Sequence, residues 1–244
     1  PAHLRKVEID NYEGHVAGRP VDIGGIDGEG LLTTGRLIVA GTTATNKSLP
    51  SNVYLLDAHL DQMRLVGLAT LTSSSADGTL VRFVPHGRYL YALTQYRGVQ
   101  VVDMLRAKQN YEANAAEPRG FRYFTMILDF NTNGKGFGHD AVLRTIPVKK
   151  NETDHWVLAD LDVAEYTVDS VQQPLAVVTG ELPLGVVNTQ SGQVVKQMPL
   201  LQLGDPATSR LTFGRAIALG RIGAIDVPLV AGQGQVDGEN VSLL

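Results

Sequence analysis

Residues 87–103 read Gly-Arg-Tyr-Leu-Tyr-Ala-Leu-Thr-Gln-Tyr-Arg-Gly-Val-Gln-Val-Val-Asp. Two short aromatic and β-branched runs flank a Gly-containing turn, and the second run ends in Asp103. Short runs of this kind, bounded by turn residues, form strands. The pair is a hairpin that cannot fold alone: a small sheet with two apolar faces must be covered on both.

Imperfect copies follow the same plan. Gly35-Arg-Leu-Ile-Val-Ala40 precedes Asn52-Val-Tyr-Leu-Leu-Asp57, and Pro174-Leu-Ala-Val-Val-Thr-Gly180 precedes Gly185-Val-Val-Asn188. A fourth copy pairs Phe213–Leu219 with Val227–Gly232. Asp57 and Asp103 stand about 46 residues apart, the spacing of units with four strands each. The next step, to Asn188, is about 85 residues, which reads as one unit carrying an insertion over residues 104–150. Within it, the stretch following Val102 has the composition for one or two helical turns. The expected fold is all-β and β-propeller-like, a complete small propeller or part of one, built as a single domain over residues 1–244. A β-sandwich has the same strand and turn rhythm and is the alternative.

The pattern Gly-x-x-Leu-Tyr-Ala … Gly-Val-x-Val-Val-Asp at 87–103 resembles the LVIVD-type repeats of bacterial surface and secreted β-propellers. The units ending at Asp57 and Asn188 match it in part. The resemblance implies an extracellular or cell-surface module, often set within a large multidomain protein. The chain begins Pro1-Ala2-His3 and its last residues, 239–244, read as a strand, which suggests a piece excised from a larger protein.

Composition narrows the function classes. Net charge is −4 and no block of like charges occurs, so nucleic acid is not an expected partner. No apolar run is long enough for a membrane-spanning helix. With no cysteine, disulfides and thiolate metal sites are excluded. There is no Gly-x-Ser-x-Gly elbow and no P-loop. Gly24-Gly-Ile-Asp-Gly28-Glu-Gly30 lacks a surrounding βαβ unit and reads as turns. The six histidines are scattered without metal-ligand spacing. His155, flanked by Asp154 and Trp156, has no evident partner for base catalysis.

The sharpest local motif is Asp129-Phe-Asn131-Thr-Asn133-Gly134-Lys135-Gly-Phe-Gly-His-Asp140. It resembles the calcium loop of EF-hands and dockerins. Side-chain oxygens fall at loop positions 1, 3 and 5, Gly at 6, a backbone carbonyl at 7 and a carboxylate at 12. Asp129, Asn131, Asn133 and Asp140 would give side-chain oxygens to Ca2+, and Lys135 its carbonyl. Two features depart from that family. Gly136 replaces the aliphatic residue at position 8, and only two carboxylates are present, so affinity would be weak. The same residues also suit an Asn-Gly turn.

Asp154, Asp160, Asp162, Glu165 and Asp169 form an acidic stretch. Asp160 and Asp162 share one strand face by the period of two, and the simplest reading puts that face in solvent. Paired carboxylates of this kind also serve glycosidases or bind cations. Tyr89 and Tyr91 share a face suited to core packing or to stacking on a sugar.

The expected function is a non-catalytic binding or structural module contacting protein, glycan or neighbouring domains of a parent chain. The alternative is a metal-dependent hydrolase or lyase acting on sugars or lactones.

Overall fold

The computed structural model describes residues 15–16, 21–24, 36–43, 52–59, 62–71, 80–113, 141–168, 170–199, 201–202, 209–222 and 225–243. They are mostly strand with one short helix, arranged as four antiparallel sheets, none closed into a barrel. The fold is all-β.

The first sheet holds β1 (His15–Val16), β2 (Val21–Gly24), β3 (Arg36–Thr43), β4 (Asn52–His59) and β5 (Gln62–Thr70), with β1 and β2 both pairing to β3. The second runs in the order β6 (Leu80–His86), β7 (Tyr89–Thr94), β8 (Gly98–Asp103) and β9 (Val142–Ile146). The helix α1 (Met104–Ala113) follows β8 directly. The third sheet is β10 (Leu158–Val168), β11 (Val171–Gly180), β12 (Leu184–Asn188) and β13 (Gln193–Met198). The fourth is β14 (Leu201–Gln202), β15 (Ser209–Ile222), β16 (Ile225–Val236) and β17 (Glu239–Leu243).

Each repeated hairpin of the sequence occupies the same place, as the central pair of its sheet. These pairs are β3–β4, β7–β8, β11–β12 and β15–β16. The inserted region 104–150 contains α1 and also β9, the fourth strand of the second sheet.

The chain divides into two compact units, Pro1–Ser75 with Gly87–Leu90 and Val102–Leu143, and Ala76–His86 with Tyr91–Val101 and Arg144–Leu244. In the first, Val53, Tyr54, Leu55 and Leu56 of β4 and Leu68 and Ala69 of β5 are buried, and α1 lies on β5. In the second, Val177, Leu184 and Ile217 form a core cluster, with Val186, Met198, Leu219 and Val230 packed against it.

The 87–103 hairpin is buried almost throughout, as expected of apolar runs in a sheet covered on both faces. Its turn needs Gly98, whose φ of 93° is costly for any residue with a Cβ, and an added Cβ would lie 2.3 Å from the Ile146 carbonyl oxygen. Tyr91 is buried, so core packing claims one of the two tyrosines. Gly214 answers a different demand. β15 comes so close to β11 there that a Cβ would fall 1.6 Å from Thr179 Oγ1, a hydroxyl already donating to the Pro183 carbonyl at 2.8 Å.

Asp103, which ends the repeat motif, joins strand to helix. Its carboxylate takes a two-pronged contact from Arg88 at the start of the hairpin, with Nε to Oδ1 at 2.8 Å. The same Oδ1 accepts the Arg106 N–H at 3.1 Å, so Asp103 is the N-cap of α1. The Met104 N–H donates to the Arg88 carbonyl and closes the hairpin at that end. Burial pushes the Asp103 carboxyl up, but the Arg88 hydrogen bond, the Arg106 and Leu105 N–H groups and the Arg88 charge outweigh it and hold it below its ordinary 3.8.

A carboxyl depressed by folding stabilises the native state above its unfolded pKa, and that stability fades as pH falls through the native value. Asp103→Ala should therefore cost about 2 kcal/mol in urea unfolding at neutral pH, from the lost cap and the lost contact with Arg88. Asp103→Asn should lose part of the acid dependence of stability below pH ~4. An acid-unfolding profile identical to that of the parent chain would show that the carboxyl does not titrate as described.

Candidate functional site

The acidic strand β10 contacts two others. Both β6 and β15 pack against it, each belonging to a different sheet. β6 and β10 are edge strands of their sheets. Among the described residues β14 covers β15 only at Arg210 and Leu211, and none pairs with that edge further along. An open edge presents N–H and C=O groups that must find partners.

Side chains supply those partners. The Asp160 carboxylate accepts the Ile217 N–H at 3.0 Å, and that of Asp162 accepts the Leu219 N–H at 2.7 Å. Pro228, which has no N–H, stands opposite Leu219 across the β15–β16 pair, so Leu219 points its own N–H away from β16. Alternate carboxylates of β10 thus meet alternate N–H groups of β15 in phase, as the shared period of two permits. From β6, Arg82 reaches Asp160 at 3.4 Å, and His86 Nε2 meets Glu165 Oε1 at 2.9 Å. In both sets of contacts residue numbers rise together, so β6, β10 and β15 run in the same sense.

Asp160 and Asp162 are therefore not a solvent-facing stripe, as the alternation alone suggests. They are half-buried between sheets and bonded to backbone. Their shared face was legible in the sequence. Their acceptor role was not, because the donors lie 57 residues further along the chain. Arg82 and His86 carried no sequence signal at all.

The ladder stops at Ala164. Two residues on from Asp162 stands a methyl group, which cannot accept a hydrogen bond. A cleft of about 370 Å³ lies beside this point. Its lining includes Ala164, Glu165, Thr167, Gln172, Leu219 and Gly220. Gln172 Nε2 donates to Thr167 Oγ1 at 2.9 Å across the β10–β11 hairpin.

The predicted calcium ligands Asp129, Asn131, Asn133, Lys135 and Asp140 lie outside the described residues, as does Asp169. Among the described residues no group of three His, Cys, Asp or Glu side chains is placed to hold a metal, and no helix is long and apolar enough to cross a membrane. Asp154 is taken up in a turn, where Asn151 Nδ2 donates to it at 2.8 Å. His155 bridges to Lys149, and Trp156 donates its Nε1–H to Gln197 at 2.8 Å with Lys150 over its ring.

Removing either carboxylate would leave a backbone N–H of β15 without its acceptor. Asp160→Ala and Asp162→Ala should each lower unfolding free energy by about 1–3 kcal/mol, and the Asn variants, which keep an acceptor oxygen, by less. Equal losses for Ala and Asn at both positions would argue against the carboxylate ladder.

No protein-family model, curated protein or solved structure matches this chain.

Proposed function

We propose that this chain is a non-catalytic binding or structural module, propeller-like in architecture and part of a larger secreted or cell-surface protein, that contacts protein or glycan. The observation that supports it best is the engagement of Asp160 and Asp162 by the N–H groups of Ile217 and Leu219. The paired carboxylates that an acid–base or metal mechanism would need are committed to holding two sheets together. The co-directional strands β6, β10 and β15, each at or near an edge of its own sheet, also suit blades set around a common axis. On such a scaffold, function belongs to the loops and clefts at its rim.

The test sets binding against turnover. The purified chain is screened on arrays of glycans and surface proteins, and in parallel with chromogenic glycosides, esters and lactones with and without a chelator. Saturable binding without turnover is expected. Turnover abolished by the chelator would replace this reading with that of a metal-dependent hydrolase or lyase.

The Asp129–Asp140 loop is part of the same proposal, as a weak calcium site of extracellular type. Calorimetric titration of calcium into chelator-treated protein should give a dissociation constant of roughly 10⁻⁴–10⁻³ M. Asp129→Ala should abolish the heat, and a flat trace with the parent chain would remove calcium from the reading.

A further inference from the structure

We infer that the cleft beside Ala164 is a subsite for one neutral sugar unit of a glycan. This rests on the reading of the chain as a binding module and names its ligand class. The cleft's volume of about 370 Å³ lies toward the lower end of ligand pockets, roughly 300–1,000 Å³, which suits a small ligand. Its surfaces are divided as a pyranose is divided. Ala164, Leu219 and Gly220 offer a small, largely apolar surface for the C–H face of a ring. Glu165, Thr167 and Gln172 offer a carboxylate, a hydroxyl and an amide to ring hydroxyls.

The polar groups of the cleft already have partners in the free protein. His86 fixes one oxygen of Glu165 at 2.9 Å and leaves the second to accept from a ligand hydroxyl. Gln172 commits an N–H to Thr167, which directs its carbonyl oxygen elsewhere. Such fixing reduces the ordering cost of binding. The charge of Glu165 disfavours acidic sugars, and its contact with His86 already occupies one of its oxygens. What remains favoured is a neutral polyhydroxylated ring.

Saturation-transfer NMR on the whole chain, with methyl galactoside, methyl glucoside and N-acetylglucosamine as probes at millimolar concentration, tests this. Transfer to ring C–H protons of at least one probe is expected. Gln172→Ala, at an exposed position, should weaken binding of that probe roughly fivefold. Ala164→Leu, which fills the cleft, should abolish it, with thermal midpoints reported for both variants. No transfer to any probe would overturn the inference, as would parent-strength transfer in a folded Gln172→Ala chain. Array binding to glycans that survives both variants would sink the cleft and leave the module reading standing. Chelator-sensitive turnover together with transfer lost in both variants would sink the module reading and keep the cleft.

Discussion

A β-strand that ends its sheet carries a row of backbone donors and acceptors, and three such rows meet in the second unit of this protein. Direct pairing of β6, β10 and β15 would fuse three sheets into one continuous ribbon. The chain instead places carboxylates between them. Asp160 and Asp162 accept the N–H groups of Ile217 and Leu219, and Arg82 of β6 closes on Asp160. Side-chain acceptors satisfy two of these donors without extending the ladder, and the sheets stay separate. Acceptors of this kind also make the contact specific, because only a strand in phase with alternate aspartates can use both.

The same economy of means recurs at Asp103. One carboxylate there binds Arg88 and caps α1, so the end of a hairpin and the start of a helix depend on a single group. The hairpin it closes is buried on nearly every residue. A charge at such a position is tolerated only with its partners in place, because an isolated carboxylate would be too costly to desolvate.

These commitments bear on function. Carboxylates that look available in the sequence are engaged in architecture, which weakens a hydrolytic reading and favours a scaffold that binds. The place where the ladder lapses is more informative than the ladder. At Ala164 a short side chain stands where an acceptor would continue the series, and polar groups of the β10–β11 hairpin border the cleft beside it. Among the described residues, a cleft therefore opens where the structural motif runs out.

The sequence by itself determined the central hairpin of each sheet. Residues 36–43 with 52–59, 89–94 with 98–103, 171–180 with 184–188 and 209–222 with 225–236 pair as the repeats imply. Hairpins are local, set by period, turn glycines and β-branched content, and a single chain displays all three. The helix after Val102 was legible for the same reason, and so was the common face of Asp160 and Asp162. Tertiary structure alone decided what that face meets. The N–H groups that bind it come from β15, and the imidazole beside Glu165 comes from β6, 79 residues away. No local pattern encodes which edges meet, because that choice depends on how separately formed sheets stack once their apolar faces are buried.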